Sequence, residues 1–338
     1  MTPKVAVVIL NWNGSKLLQE FLPSVIRHSE SIAEVIVADN GSTDDSIEVL
    51  TGKFPSVRII RNPINKGFTG GYNEALKYVT AEYYVLLNSD VEVTANWLEP
   101  IVALMDANQS IGACQPKVLS YQNKNYFEYA GAGGGFIDHL GYPFCRGRIF
   151  NDLETDTHQY DDNIPVFWAT GACMFIRSDV YNQLGGFDEQ FFAHMEEIDL
   201  CWRMQLIGFS VYYCGQSTIY HVGGGTLAKN NPRKTYLNFR NNLLMIYKNA
   251  GEHRSSILLK RRFFDLIAAL KFLITNGKND AVAVLKAHRD FRKMRTNYPN
   301  ETVQKQAKKR PLTIYNRSLL WDYYLCHRKK FSSLPKNE

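Results

Sequence analysis

The chain opens with short β-branched runs that each give way to asparagine, aspartate or glycine. Lys4–Leu10 (KVAVVIL), Glu34–Asp39 (EVIVAD), Val57–Arg61 and Tyr83–Leu87 read as buried strands. Between them lie segments of helical spacing. The first is LLQEFLPSVIRH, which Pro23 is predicted to end or kink. NGSTDD combines a turn with helix N-cap residues, and NKGFTGGYNEALKYV passes from a glycine-bearing loop into a helix. Strands alternating with helices predict an α/β fold with a mostly parallel, doubly wound sheet. Ligands of such sheets bind beyond the carboxyl ends of the strands, where Asn11, Asp39, Asn65 and Asp90 all fall.

From Ile111 the pattern loosens. GAGGGFIDHLGYPFCRGR and NDLETDTHQYDDN read as long surface loops covering a site. Regularity returns with PVFWATGACMFIRSDV and with a helix starting near Glu196 and stopped by Gly208. VYYCGQSTIYHVGGGT reads as a short strand and a glycine-rich loop, and helices are expected from RKTYLNFRNNLLMIYKN onward. These patterns divide the chain into a catalytic body, 1–250, with halves meeting near residue 110, and a helical extension, 251–338. In the extension, RRFFDLIAALKFLI puts Phe263, Leu266, Ile267, Leu270 and Ile274 on one helix face. That face either packs on the body, the favoured expectation, or meets a membrane surface.

Composition narrows the classes. Of 338 residues, 45% are apolar and 13% aromatic, which fits a globular protein and excludes a disordered one. Met1 leads into VAVVIL without a signal-peptide pattern, and no apolar stretch reaches the ~18 residues that span a bilayer. Six scattered cysteines form no CxxC pair, which points to a reducing cytoplasm without structural zinc. The net charge of +6 conceals a split. Residues 1–250 hold 19 Lys and Arg against 26 Asp and Glu, whereas residues 251–338 hold 20 against 7. A tail of net +13 suits an anionic partner, and a bilayer surface suits it better than nucleic acid, because no nucleic-acid module accompanies the charge.

Asp90 follows the apolar run VLLN at a strand end, where one carboxylate can share a divalent cation with a diphosphate. Asp39 after the second strand, NKGFTGGYN, NSD, and GGFDEQFFAHMEEIDLCWR accompany it in this order. Together, over roughly Val5 to Asn249, they resemble the family-2 glycosyltransferases of GT-A fold, in particular the bacterial rhamnosyltransferase-like branch. The resemblance implies a Rossmann-like, mostly parallel central sheet flanked by helices. It also implies that Asn11, Asn13 and Asp39 hold the donor's base and ribose. Asn65, Lys66 and Gly67 would line the donor cleft, with Asn73 on the helix behind. NSD looks like the family's DxD motif with Asn88 in place of its first aspartate, which leaves Asp90 as the carboxylate for Mg²⁺ or Mn²⁺. His221 matches a histidine near the donor diphosphate and reads equally as a metal ligand or a structural hydrogen-bonder. Glu197 stands where the family has its general base, with Glu196 in reserve, and a helix N-terminus is expected to keep both ionised. Asp199 and Arg203, four apart, are expected to pair. Trp168, Thr170, Gly171, Gly186, Phe187 and Asp188 would shape the acceptor side. Arg240, with Arg233 and Asn241, would reach phosphate or simply belong to an amphipathic helix.

The implied reaction is a single, inverting, in-line displacement from a nucleotide-diphosphate sugar to a hydroxyl of a saccharide or polyprenyl-linked acceptor. It would serve cell-surface polysaccharide synthesis and take place in the cytoplasm or at the inner face of the membrane. The competing class is a nucleotide-sugar-binding scaffold, which would have no need of Glu197. A dinucleotide-dependent oxidoreductase fails, because no GxGxxG follows the first strand.

Overall fold

The structure is a computed structural model that describes residues 3–223, 231–275, 277–298, 311 and 313–336. Strands β1 (Val5–Asn11), β2 (Ala33–Asn40), β3 (Arg58–Asn62) and β4 (Tyr83–Asn88) lie parallel in the order β3-β2-β1-β4. Their alternation sorts side chains to the two faces. Val5, Val7 and Ile9 join one core with Leu18, Leu22 and Val25 of α1 (Ser15–Ser29), while Ala6 and Val8 join the other with Tyr72 and Ala75 of α3 (Gly67–Leu76). Burial on both faces explains the unbroken apolar runs in the sequence. Helix α2 (Ser46–Lys53) links β2 to β3.

Beyond β4 the sheet continues through β12 (Cys173–Arg177), β6 (Ile111–Ser120), β13 (Ser210–His221) and β11 (Asn163–Val166), with the short β5 (Val91–Val93) also on β13. β12 runs antiparallel to both β4 and β6, so the sheet is mixed. β13 spans twelve residues, longer than its sequence suggested, because an irregularity between Cys214 and Thr218 breaks the alternation without ending the pairing. Helices α4 (Glu99–Ala107), α5 (Ser178–Gln183) and α6 (Glu196–Leu206) cover the faces.

Three expectations are corrected. Helix α1 does not end at Pro23 but continues through it to Ser29, with the proline on the exposed face. The segment expected as surface loops is a second sheet of strands β7 (Gly135–Asp138), β8 (Pro143–Cys145), β9 (Arg148–Ile149) and β10 (Asp152–Leu153), completed by β14 (Ile314–Tyr315) from the C-terminal part. Phe144 and Ile149 from this segment are fully buried.

The third correction concerns the extension, which follows α7 (Pro232–Asn249) of the body and is built of α8 (Arg254–Thr275), α9 (Lys278–Met294) and α10 (Leu319–Tyr324). The apolar face of α8 does not pack on the body. Phe263, Leu266, Ile267, Leu270 and Ile274 are exposed, and the helix is anchored by Arg261, Asp265 and Ala269 instead.

Candidate active site

The strand ends gather as expected. Asn11 pairs in register with Asp39, and Leu10 with Asn88. Asn11 Nδ2 donates to Asp39 Oδ1 and to Ser42 Oγ, both at 3.2 Å, while Asp39 Oδ2 accepts the Ser42 N–H at 3.1 Å. Asn13, at a left-handed φ of 52°, accepts the Thr43 N–H at 2.7 Å. The β1 and β2 loops therefore close on each other, with the buried Asp39 carboxylate at the floor. Asn40 extends this network to Asn65 Oδ1 (3.1 Å) and the Gly67 carbonyl (3.0 Å). Gly67 has a φ of 72°, and a Cβ there would lie 2.6 Å from the Phe192 ring, so glycine is required.

Other donor-side residues are committed elsewhere. Lys66 is ion-paired to Glu74 at 2.7 Å. Asn73 clasps the GGFDE loop: its amide donates to the Phe187 carbonyl (2.8 Å) and accepts the Phe187 N–H (3.0 Å) and the Tyr181 hydroxyl (2.7 Å). It fastens α3 to that loop.

Asp90 lies just past β4. Its Oδ1 is 3.1 Å from His221 Nε2, and His221 Nδ1 is 3.1 Å from Glu128 Oε2. Asn88 Nδ2 lies 3.4 Å from the same Nε2. All three members of this row are buried. Burial alone would lower the imidazole pKa, but the two carboxylates raise it to about 10. Against the cost of their own burial, the histidine holds Asp90 and Glu128 below their ordinary values. An imidazolium donates from both nitrogens and has no lone pair for a cation. Glu128 is a member that the sequence concealed, because it lies in a stretch with no periodic pattern.

Whether this donor set fits a divalent cation has a direct answer. Among the described residues no group of three His, Cys, Asp or Glu side chains is arranged to hold a metal ion. Asp90 alone offers one carboxylate, which suffices for Mg²⁺ or Mn²⁺ when phosphate oxygens complete the shell. The fit is one to a cation shared with a bound diphosphate.

Two successive hydrogen bonds lead from β4 to a large hollow. The Asn88 N–H donates to the Ala172 carbonyl, and the Ala172 N–H donates to Thr170 Oγ1. Thr170 lines a cavity of about 1320 Å³, together with Trp168, His194, Glu197, Lys234 and Arg148. Its far wall comes from α8 and α10. Of the residues assigned to the acceptor side, Trp168 and Thr170 line the cavity. Gly171, Gly186, Phe187, Asp188 and Arg240 do not. Phe187 is core. Asp188 bonds Lys248 Nζ and the Tyr298 hydroxyl, both at 2.6 Å. The Gly186 carbonyl accepts from Arg203 at 2.9 Å.

Arg240 and Asn241 do not present themselves to phosphate either. Arg240 donates to the carbonyls of Gln190 (3.1 Å) and Phe191 (3.0 Å), and Asn241 Nδ2 to those of Ala193 (2.8 Å) and His194 (2.7 Å). They hold a loop in which Phe192, His194 and Met195 all have positive φ. Such a conformation is costly for side chains other than glycine, and the asparagine clamp offsets that cost. The loop delivers Glu196 and Glu197 as the first residues of α6.

Both carboxylates have an Oε2 that is buried without a protein partner. The expectation that the helix dipole keeps them ionised is corrected, because burial outweighs it. Burial lifts Glu197 to about 7 despite the N–H groups of the first turn. Glu196, buried beside it, is pushed up well beyond the ordinary carboxylate range by burial and by its neighbour's charge. Burial, reinforced by Lys234, lowers His194 to about 4, so that ring is neutral near pH 7. Asp199 does pair with Arg203, at 2.8 Å, and it also bonds Lys248 (2.9 Å) and Asn249 (2.8 Å).

Comparison with known proteins places the fold and the family. The chain is 25% identical, over 242 residues, to an N-acetylglucosaminyl-diphospho-decaprenol L-rhamnosyltransferase of Mycobacterium tuberculosis, covering 67% of this chain and 78% of that protein. It is 24% identical, over 251 residues, to the low-salt glycan biosynthesis hexosyltransferase Agl10 of Haloferax volcanii, covering 72% and 76%. Among solved structures, the mannosyltransferase PcManGT of Pyrobaculum calidifontis, in complex with GDP-Man and Mn²⁺, superposes with a TM-score of 0.54 at 13% identity, over 90% of this chain and 84% of that one. GalNAc-T7 with UDP, GalNAc and Mn²⁺ superposes at 0.59 and 15% identity, over 88% and 58%. The fold is GT-A-like. Residues 6–185, more than half of the chain, match the sequence profile of Glycosyl transferase family 2, and the chain belongs to that family of glycosyltransferases.

Proposed function

We propose that this glycosyltransferase moves a single sugar, with inversion, from a nucleotide-diphosphate donor to a hydroxyl of a lipid-linked saccharide, with Glu197 as the base. The observation that carries this is Glu197 itself. Its Oε2, buried without a protein partner, belongs to a cavity walled by Phe264, Ile267, Phe272 and Trp321 among others from α8 and α10, and edged by cations that include Lys234, Arg148, Lys260 and Lys271. A carboxylate with a pKa near 7 is tuned to accept a proton at neutral pH. The basic edge suits phosphate and the apolar walls suit a hydrocarbon chain. The mycobacterial relative bears the name of a transferase acting on a diphospho-decaprenol saccharide, an acceptor of this chemistry.

Each side chain has a part in the step. Asp39, acceptor only, takes hydrogens from the donor's base or ribose, and Asn11 and Ser42 fix its orientation. Asp90, with the donor's phosphates, would hold a divalent cation, and that cation supplies charge neutralisation for the departing diphosphate. His221, clamped between Asp90 and Glu128, orients Asp90 and adds positive charge nearby. Trp168 and Thr170 support the acceptor sugar beside Glu197, which removes the attacking hydroxyl's proton. The cavity walls exclude water that would otherwise hydrolyse the donor.

The test is a thermal-shift panel of nucleotide sugars, with a rhamnosyl donor first, followed by transfer assays on Glu197→Gln. A donor at 100 times its Kd adds about 2.7 kcal/mol of stability. The variant should keep that shift while turnover falls by about 10²–10⁴-fold. Near wild-type turnover in the variant would remove Glu197 from the role. Donor binding without transfer by the wild-type chain, to any hydroxyl acceptor, would favour a binding scaffold.

A further inference from the structure

Helix α8 is built inside out. Two of its charged residues, Arg261 and Asp265, face the protein. Arg261 is 2% exposed and donates to the Leu140 carbonyl (3.3 Å), Asn242 Oδ1 and Asp265 Oδ1 (3.2 Å). Asp265, fully buried, also meets the Tyr142 hydroxyl (3.2 Å) and His288 Nε2 (3.0 Å). The opposite side of the helix is apolar and faces outward. Leu259, Phe263, Leu266, Leu270, Leu273 and Ile274 are between 51% and 87% exposed. At 3.6 residues per turn they form a stripe roughly 120° wide, the width that a helix normally buries.

We propose that this stripe lies in the headgroup boundary of an anionic lipid bilayer, so that the cavity leading to Glu197 opens into the membrane. Continuity with the site is the first argument. Ile267, at the border of the stripe, is half exposed and also lines the cavity, as do the exposed Trp321, Tyr324 and Leu325 of the neighbouring α10 region. Tryptophan and tyrosine favour the membrane–water boundary.

Charge is the second argument. Lys260 and Lys271 lie between the stripe and the cavity mouth, and Arg262 flanks the stripe on its other side, where long cationic side chains can reach headgroups. The extension as a whole carries net +13. A second copy docking by the same face would set these cations against each other. The chain's own residues 299–310, outside the described residues, contain only Val303 and Ala307 as apolar groups after Pro299 and cannot cover the stripe. Nor is α8 a spanning segment, since no helix among the described residues is long and apolar enough to cross a membrane. It would lie on the surface. The use of the cavity by a lipid-linked acceptor rests on the function proposed above. The docking itself does not.

The experiment is co-sedimentation of the full chain with vesicles of phosphatidylglycerol and phosphatidylcholine, against vesicles of phosphatidylcholine alone, at low and high salt. The wild type should sediment with the anionic vesicles and be released by salt. Leu266→Glu combined with Leu270→Glu should weaken partitioning roughly tenfold or more, with an unchanged melting temperature and unchanged transfer to a short-chain, water-soluble acceptor. Lys260→Glu combined with Lys271→Glu, which leaves the stripe intact, should weaken binding to the anionic vesicles selectively. Absence of vesicle binding by the wild type, or binding by both double variants as tight as the wild type's, overturns the proposal. So does a wild-type dimer in light scattering that Leu266→Glu with Leu270→Glu converts to monomer, since a second copy would then occupy the face. A chain that binds vesicles but transfers no sugar would sink the proposed function while upholding the docking.

Discussion

Asn241 donates to the carbonyl oxygens of Ala193 and His194, the residues that lead into the helix bearing Glu197. A fully buried amide from α7 thus sets where the proposed base stands, although it touches neither substrate. Asn241→Ala should leave those carbonyls buried and unpaired, costing about 1–3 kcal/mol of stability. It should lower kcat more than it raises the donor KM, because the donor-side network of Asp39 and Asn40 is separate. An equal loss in both constants would show that α7 supports the whole site and not the base alone.

The pH profile should carry the signature of Glu197. With a pKa near 7, raised by burial, the group is protonated below that value and cannot act as a base. Transfer should therefore rise through pH 7 to a plateau, and Glu197→Gln should flatten the acid limb of its residual rate. Stability should move the other way. A carboxyl that binds its proton more tightly when folded stabilises the protein below its unfolded pKa, and that contribution is lost as pH rises through the folded value. Measured against Glu197→Gln, the wild-type melting temperature should fall from about pH 4.5 towards 7, with Glu196 contributing to the wild-type curve in the same direction and His194, lowered by burial, in the opposite one. Identical pH–stability curves would refute the raised value.

Cation binding should depend on donor. Asp90 offers a single carboxylate, so Mn²⁺ alone should barely shift the melting temperature, whereas Mn²⁺ with a nucleoside diphosphate should shift it well beyond either alone. Asp90→Asn should remove the joint increment and leave the shift from nucleotide alone. A strong shift from Mn²⁺ by itself would mean that a fuller ligand set exists than Asp90 provides.

Asp199 anchors the first turn of the helix that bears Glu197. Its fully buried carboxylate, held below its ordinary pKa by Lys248 and Arg203 against the pull of burial, joins α6 to α7. Asp199→Ala leaves Arg203 without its carboxylate and Lys248 with Asp188 alone, and should cost about 3–5 kcal/mol in urea unfolding. A loss under 1 kcal/mol would indicate that water replaces the carboxylate.

How much of this was legible in the sequence varies with the kind of signal. Strands β1, β2 and β4 were readable because both faces are buried, and the polar residues at their ends mark where the chain leaves the sheet. Glu197 was readable through the resemblance carried by EEIDLCWR. Glu128 and the second sheet were not, since strands of two to four residues are too short to show a period. Nor was the orientation of α8. Helical spacing tells which residues share a face, but not which face meets the protein. Here the choice was made by Asn242, His288 and the Leu140 carbonyl, whose approach to Arg261 and Asp265 depends on tertiary structure. The roles expected of Asn73, Asp188 and Arg240 shifted for a similar reason, because each is saturated by backbone or charged partners from a distant element.

Neighbouring asparagines on α7 serve opposite directions: Asn241 grips the loop before Glu197, and Asn242 receives Arg261 from α8. Meanwhile β14 supplies an edge to the smaller sheet, and Asp138 in that sheet accepts the Leu319 N–H at 2.9 Å. A chain cut after residue 250 would thus lose one side of its central hollow, an outer strand and several polar anchors in a single stroke. Crystallisation or engineering efforts that trim the basic tail should begin beyond Leu334, since Phe331 and Leu334 pack against the core of the smaller sheet.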